Sequence, residues 1–295
     1  MPIEQTMTYA GPTSHSFTSQ RMRLHYVDWG NKGKPPLLLV HGGRDHCRSW
    51  DWVAEALCED WHVIALDHRG HGDSEWVSDG TYLASDMVYD LAQLVHQLDL
   101  APVTIVSHSM GGNVSLRYAG AFPEQVRKLV AIEGLGPSPK LRQEMLKPPY
   151  PERVRDWVEK KRDAAARLPR RYATMEDAIA RMHEANRFLS HEQAIHLTIH
   201  GVNRNEDGTF TWKFDPYLNL WPAEQTSAED EQQSWAAITC PTLLMYGAES
   251  WASNPEKDGR IAPFRNAEVV VVDKAGHWLH HDQYPTFMRH LREFL

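Results

Sequence analysis

Short continuous runs of apolar, often β-branched residues alternate along the chain with stretches where apolar residues recur every three or four positions. Met22–Trp29 alternates apolar and polar positions, which predicts a half-buried strand. Leu37-Leu38-Leu39-Val40 and His62-Val63-Ile64-Ala65-Leu66 are unbroken apolar runs, the pattern of strands buried on both faces of a parallel sheet. Val103-Thr104-Ile105-Val106, Arg127–Ile132, Pro241–Tyr246 and Glu268–Val272 read the same way. Between them lie helical patterns. One runs through Trp50, Val53, Ala54 and Leu57, and another covers 84–99 through Met87, Leu91, Leu94, Val95 and Leu98. A third follows Asn113, and an amphipathic helix closes the chain over about 282–295. Strands alternating with helices imply right-handed crossovers and a mostly parallel, doubly wound α/β sheet.

The pattern changes at Pro137. Residues 137–236 are rich in Arg, Glu, Pro and Trp, with helical stretches near 152–168 and 174–200 and no buried-strand run. The expected organisation is a core of residues 1–136 and 237–295 with a helical cap, 137–236, inserted between two core strands. The insertion carries many aromatics, including Trp157, Phe188, Trp212 and Trp221. Most are expected to pack the cap onto the core, and Trp212 and Trp221 to border a substrate pocket.

Composition narrows the class. The 295 residues carry 31 basic and 39 acidic side chains, a net charge of −8, which argues against nucleic acid or an anionic membrane as partner. No apolar run approaches the roughly 18 residues of a membrane helix. The start, Met1-Pro2-Ile3-Glu4-Gln5, has no secretory-signal pattern. Three widely spaced cysteines, Cys47, Cys58 and Cys240, read as free thiols of a reducing, cytoplasmic compartment. Oligomeric state is not readable.

The chemistry concentrates at Ser107-His108-Ser109-Met110-Gly111-Gly112. A buried strand that turns into a helix through small residues, with a serine at the bend, is a nucleophile elbow. Ser107 stands where the G-x-S-x-G pattern has its first glycine. The bend holds the Ser109 hydroxyl clear of the backbone at a helix N-terminus, where developing negative charge is favoured.

With His41-Gly42-Gly43, Asp67-His68-Arg69-Gly70-His71-Gly72-Asp73-Ser74 and Ala275-Gly276-His277-Trp278, in that order and spacing, the chain resembles an α/β-hydrolase with a helical cap. The resemblance implies that His277 is the base that accepts the Ser109 proton. It implies oxyanion donors at the backbone N–H groups of Gly43 and Met110. His41, Asp67, Arg69 and Asp73-Ser74 are read as structural. Arg44 either closes a salt bridge, the plainer expectation, or reaches a substrate carboxylate. His280 and His281 invite a metal reading but lack a ligand set, so they are read as polar residues at the start of the last helix. No cofactor and no metal are expected.

The acid that orients His277 has two candidate positions. Most relatives of this fold place an Asp three residues past the glycine that here is Gly247. That residue is Ser250, which carries no charge, while Glu249 stands one position early. The alternative is Glu133, at the end of the strand after the elbow and 24 residues beyond Ser109. That segment resembles the acid-bearing one of some haloalkane dehalogenases and zearalenone-type lactonases. Glu133 is taken as the acid and Glu249 as the alternative.

The expected activity is hydrolysis of carboxylic esters or lactones of apolar or aromatic character, through an acyl-enzyme. Haloalkane dehalogenases and epoxide hydrolases share core and cap but need an Asp nucleophile, which Ser109 is not. Carbon–carbon bond hydrolases and cofactor-free haloperoxidases or perhydrolases use the same three residues and remain the alternative chemistry. A non-catalytic binding protein would usually lack one of the three.

Overall fold

The computed structural model describes residues 11–166, 168–220 and 222–295. Its first half contains β1 (Thr13–Ser19), β2 (Met22–Asp28), β3 (Pro36–Val40), α1 (Asp51–Leu57), β4 (His62–Leu66), α2 (Ala84–Gln97), β5 (Val103–His108), α3 (Ser109–Ala121) and β6 (Val126–Ile132). The chain then leaves the sheet for α4 (Pro139–Leu146), α5 (Tyr150–Ala165), α6 (Met175–Ala185), α7 (His191–Gly201), the hairpin β7 (Val202–Arg204) and β8 (Phe210–Trp212), and α8 (Ala228–Ala237). It returns with β9 (Thr242–Gly247), α9 (Pro255–Asp258), β10 (Ala267–Val272), α10 (Leu279–Asp282) and α11 (Tyr284–Phe294).

Eight strands form one sheet in the order β1-β2-β4-β3-β5-β6-β9-β10. β1 and β2 are antiparallel to their neighbours, and the pairs from β4 to β10 are parallel. The unbroken apolar runs have a simple cause. Leu38 and Val40 of β3 join a cluster with Ile105 and with α2 and α3 residues such as Leu91 and Val114. Their neighbours Leu37 and Leu39 join a second cluster with Trp50, Phe287 and Leu291 on the opposite face. Both faces are therefore covered, as a doubly wound sheet requires. This places the C-terminal ends of β5, β6 and β9 side by side at the sheet centre, where α/β folds build their sites.

Three expectations need correction. The strand β1 was not foreseen, because Thr13-Ser14-His15-Ser16 is exposed on the sheet edge and carries no apolar pattern. The single helix expected over 174–200 is two, α6 and α7, each opened by its own capping box at Thr174 and Ser190. The last helix starts at Tyr284, and His280 and His281 lie in the separate short α10, both buried. The segment between β6 and β9 is bound to the first half of the chain at three points. Tyr82 Oη donates to Asp215 at 2.6 Å, His46 Nε2–H to the Leu197 carbonyl at 2.9 Å, and Arg117 pairs with Glu231 at 2.9 Å. All three cysteines are free, and no helix among the described residues is long and apolar enough to cross a membrane.

Candidate functional site

Every residue of β5 is buried, and the strand turns directly into α3 at Ser109. Ser109 has φ 51°, a left-handed conformation that costs energy for a residue with a Cβ. The small neighbours explain why the turn closes. A Cβ at Gly111 would lie 2.3 Å from the His41 carbonyl oxygen. Ser107 fits where glycine is usual, because its hydroxyl turns back to donate to the Val130 carbonyl at 2.9 Å.

Three distant segments meet at this bend. His277 Nε2 lies 2.9 Å from Ser109 Oγ, and His277 Nδ1 is hydrogen-bonded to Glu133 Oε2. With Nδ1–H donating to a carboxylate, Nε2 is left to accept the serine proton. Glu133 follows β6 and is fully buried at its side chain, whereas the His277 ring is 22% exposed and so open to an entering molecule. The acid is held from several sides. Its N–H donates to the Met245 carbonyl at 2.9 Å, Oε1 accepts the Gly247 N–H at 2.9 Å, and Oε2 accepts the Ser250 hydroxyl at 2.7 Å. Glu249 points elsewhere. It lies at the surface and pairs with Arg187 at 3.2 Å. Of the two candidate acids, Glu133 meets His277 and Glu249 does not.

No motif along the chain points to what stands behind and beside the His277 ring. His108 donates from Nε2 to the His277 carbonyl at 2.9 Å, and its ring lies 4.8 Å from that of His277. His280 stacks next in line, 4.7 Å from His108 and 4.7 Å from Trp50. This packing is why His280 is interior rather than a polar helix start. Burial holds the His108 and His280 pKa values well below the ordinary histidine range, so both rings are neutral. On the open side Trp251, 68% exposed, lies 4.8 Å from the His277 ring.

Met110 is the second residue of α3, so its N–H has no acceptor within the helix. Gly43 stands opposite, where a Cβ would lie 3.8 Å from Met110 Sδ. His41, fully buried, supports this loop by donating from Nδ1 to the Gly42 carbonyl at 2.6 Å and accepting the His68 N–H at 3.0 Å. Asp67 and Arg69 also act within the scaffold. Asp67 accepts from His25, Cys47 N–H and Asp73 N–H, and Arg69 forms a two-pronged pair with Asp90.

Arg44 and Trp212 line one cavity of about 20 Å³ together with His46, Phe214, Trp278 and His281. Trp221 lies outside the described residues. The expected Arg44 salt bridge is not formed among the described residues. The carboxylates near its loop are engaged: Asp51 with Arg48 at 2.6 Å, Asp73 with Lys213 at 2.8 Å, and Asp45 with the His46 N–H at 2.9 Å. Two further groups combine metal-ligating residue types, His25–Cys47–Asp67 and Asp51–His196–His200. In both, hydrogen bonds within the protein already use a ligand atom, His25 Nδ1 on Asp67 and His196 Nε2 on Asp51.

Comparison with known proteins places the chain in a family. The 3-hydroxybutyrate-oligomer hydrolase of Cupriavidus necator is 30% identical over 274 residues, covering 86% of this chain and 87% of that protein. A serine hydrolase-like protein of Danio rerio is 31% identical over 193 residues, 65% of this chain and 58% of that protein, so the match spans little more than half of its length. Among solved structures, the hypothetical protein PA1622 of Pseudomonas aeruginosa PAO1 shares the fold, with a TM-score of 0.81 at 24% identity over 95% of this chain and 96% of that one. The family model of the α/β hydrolase fold matches residues 35–284, and the chain belongs to that family.

Proposed function

We propose that the protein hydrolyses carboxylic ester bonds, with Ser109 as nucleophile, His277 as general base and acid, and Glu133 as the acid that orients it. The observation that carries this reading is the unbroken hydrogen-bonded path from Ser109 Oγ through the His277 ring to Glu133. Ser109 Oγ attacks the ester carbonyl while His277 Nε2 takes its proton, and the alcohol leaves with that proton. Water then repeats the sequence on the acyl-enzyme and releases the acid. The Gly43 and Met110 N–H groups stabilise the oxyanion, a contribution of roughly 10²–10³ in rate per donor. Buried Glu133 fixes the Nδ1–H tautomer and offsets the positive charge the ring gains. The ester chemistry draws further support from the Cupriavidus necator relative, whose name states hydrolysis of a hydroxybutyrate oligomer.

Residues 137–236 act as the lid of this site in the same reading. Met182, Leu197, Trp212 and Phe214 come from that segment and meet Arg44 and Trp278 of the core around one cavity. The substrate is a small molecule whose apolar or aromatic part lies against Trp212, Phe214 and Trp278. Three free cysteines suit a reducing, cytoplasmic setting.

The test is a set of p-nitrophenyl esters, lactones and aryl esters assayed with wild type and Ser109→Ala. The variant should fold normally and lose activity by several orders of magnitude, since the three residues act as a unit. Wild-type turnover by purified Ser109→Ala, on an ester the parent hydrolyses, would overturn the assignment.

A further inference from the structure

Arg44 follows Gly43 directly, so a cation stands one residue from the loop that faces Met110. Its guanidinium has no hydrogen-bond or ion-pair partner among the described residues. The other cation of the cavity wall, Lys213, is paired with Asp73 at 2.8 Å. The one carboxyl on the wall, Asp45, turns an oxygen to the His46 N–H at 2.9 Å, and burial pushes its pKa up, which weakens it as a competitor for the arginine. His71 lies close enough to sense the Arg44 charge, but burial above all lowers it to about 4, so it adds no second charge.

Two more polar atoms of this wall are unused. His46 Nδ1 and His281 Nε2 are buried without a partner, on residues only 5% and 6% exposed. Buried polar atoms are normally satisfied, and those that are not mark a place for water or ligand. His46 already donates from Nε2 to the Leu197 carbonyl, which leaves Nδ1 as its unused ring atom. The remaining wall joins Met182 and Leu197 to three aromatics: Trp212 stacks on Phe214 at 6.1 Å, and Trp278 follows His277. Arg44 itself has φ 61°, a left-handed conformation unfavourable for a residue with a Cβ, at the edge of the site.

A free guanidinium beside aromatic walls fits a chain that ends in a carboxylate, which arginine binds with two parallel hydrogen bonds. We propose that the ester this protein cleaves carries a carboxylate, held by Arg44, with its carbon chain against Trp212, Phe214 and Trp278. The proposal rests on the ester-hydrolase reading of Ser109. The unpartnered Nδ1 of His46 and Nε2 of His281 then face a water bound to the ligand head.

Two ester pairs test it. In p-nitrophenyl hydrogen glutarate the carboxylate is on the acyl side, and its methyl ester is the neutral partner. In p-carboxyphenyl butyrate it is on the alcohol side, again with the methyl ester as partner. In at least one pair the carboxylate member should have the higher kcat/KM by about tenfold or more, the scale of one charged hydrogen bond. The ratio should fall toward one in Arg44→Met and be partly kept in Arg44→Lys. A ratio near or below one for both pairs in wild type, or an unchanged ratio in Arg44→Met, overturns the proposal. A calorimetric titration of glutarate into Ser109→Ala separates the two readings. Saturable binding that weakens in the Ser109→Ala/Arg44→Met double variant supports the carboxylate site even if no ester is turned over, in which case the ester reading fails by itself. Absence of that binding, or binding indifferent to Arg44, removes the site.

Discussion

The Ser250 hydroxyl donates to Glu133 Oε2 at 2.7 Å, on the same oxygen that receives His277 Nδ1–H. Ser250 occupies the position where most proteins of this fold carry the acid itself. Here that position holds a neutral donor that steadies an acid arriving from the neighbouring strand. The arrangement predicts a large asymmetry between two charge-neutral substitutions. Glu133→Gln should lower kcat by roughly 10⁴, by analogy with loss of the acid in serine proteases. Glu249→Gln removes only an exposed pair with Arg187 and should stay near wild type. Steady-state kinetics with folding checked by circular dichroism decide the matter, and the opposite ranking would reverse the assignment.

A second prediction concerns Ser250 itself. Ser250→Ala removes one of the donors to Glu133 and leaves the Gly247 N–H in place. The expected loss in kcat is about tenfold, the scale of one hydrogen bond to a charged group, with KM little changed. Ser250→Asp placed in the Glu133→Gln background should recover part of the lost rate, because it restores a carboxylate beside His277 Nδ1. No recovery in a folded double variant would mean that β9 cannot deliver an acid to this ring.

The parts of the fold that were legible are those in which burial alone decides sequence. Leu37–Val40 and His62–Leu66 have no polar face because both sides of the sheet are covered. β1 escaped because an edge strand with an exposed Thr13-Ser14-His15-Ser16 has no apolar face to show. The hairpin of β7 and β8 escaped because three residues are too few for any period. Within the site, the elbow was readable since Ser109 and its small neighbours are contiguous. The choice between Glu133 and Glu249 was not, because spacing along the chain does not say which carboxyl is buried against Met245 and Gly247. The roles of His108, Ser250 and Trp251 depend on contacts between segments far apart in sequence, which no local pattern encodes.

A third prediction comes from a close backbone approach beside the elbow. A Cβ on Gly112 would lie 2.6 Å from Gly134 Cα, and one on Gly134 would lie 2.8 Å from Gly112 Cα. α3 therefore sits against the loop that carries Glu133 with no room for a methyl group on either side. Gly112→Ala should destabilise the protein by about 1–3 kcal/mol, as overpacking does. It should also reduce kcat by pushing Ser109 and Glu133 apart. Urea denaturation and steady-state kinetics measure the two effects. A variant of parental stability would show that the loop yields freely.

The last prediction follows from seven histidines, six of them buried and His200 half-buried. His41, His68, His71, His108, His200, His280 and His281 all have pKa values pushed down in the folded protein, by burial first and by neighbouring positive groups second, against backbone hydrogen bonds or carboxylates in some. His68 and His281 fall to about 3, and His71 and His200 to about 4. In the unfolded chain these rings titrate near the ordinary value of about 6.5. As pH falls below that value the unfolded state takes up protons that the folded state refuses. Each ring then costs about 1.4 kcal/mol of stability per pH unit until its folded value is reached. Above pH of about 7 the rings are neutral in both states and contribute nothing to the pH dependence. Asp45 and Asp282 act the other way, since burial raises their pKa and the folded state protonates them first. Two carboxyls do not offset seven imidazoles, so stability should fall steeply from pH 7 to pH 5. Urea denaturation at intervals across that range gives the slope directly. Replacing buried His281 by Leu should flatten it by about one proton, whatever the variant does to stability at pH 7. A curve that is level or rising toward pH 5 would show that these rings are hydrated, or paired with acids, in the folded protein.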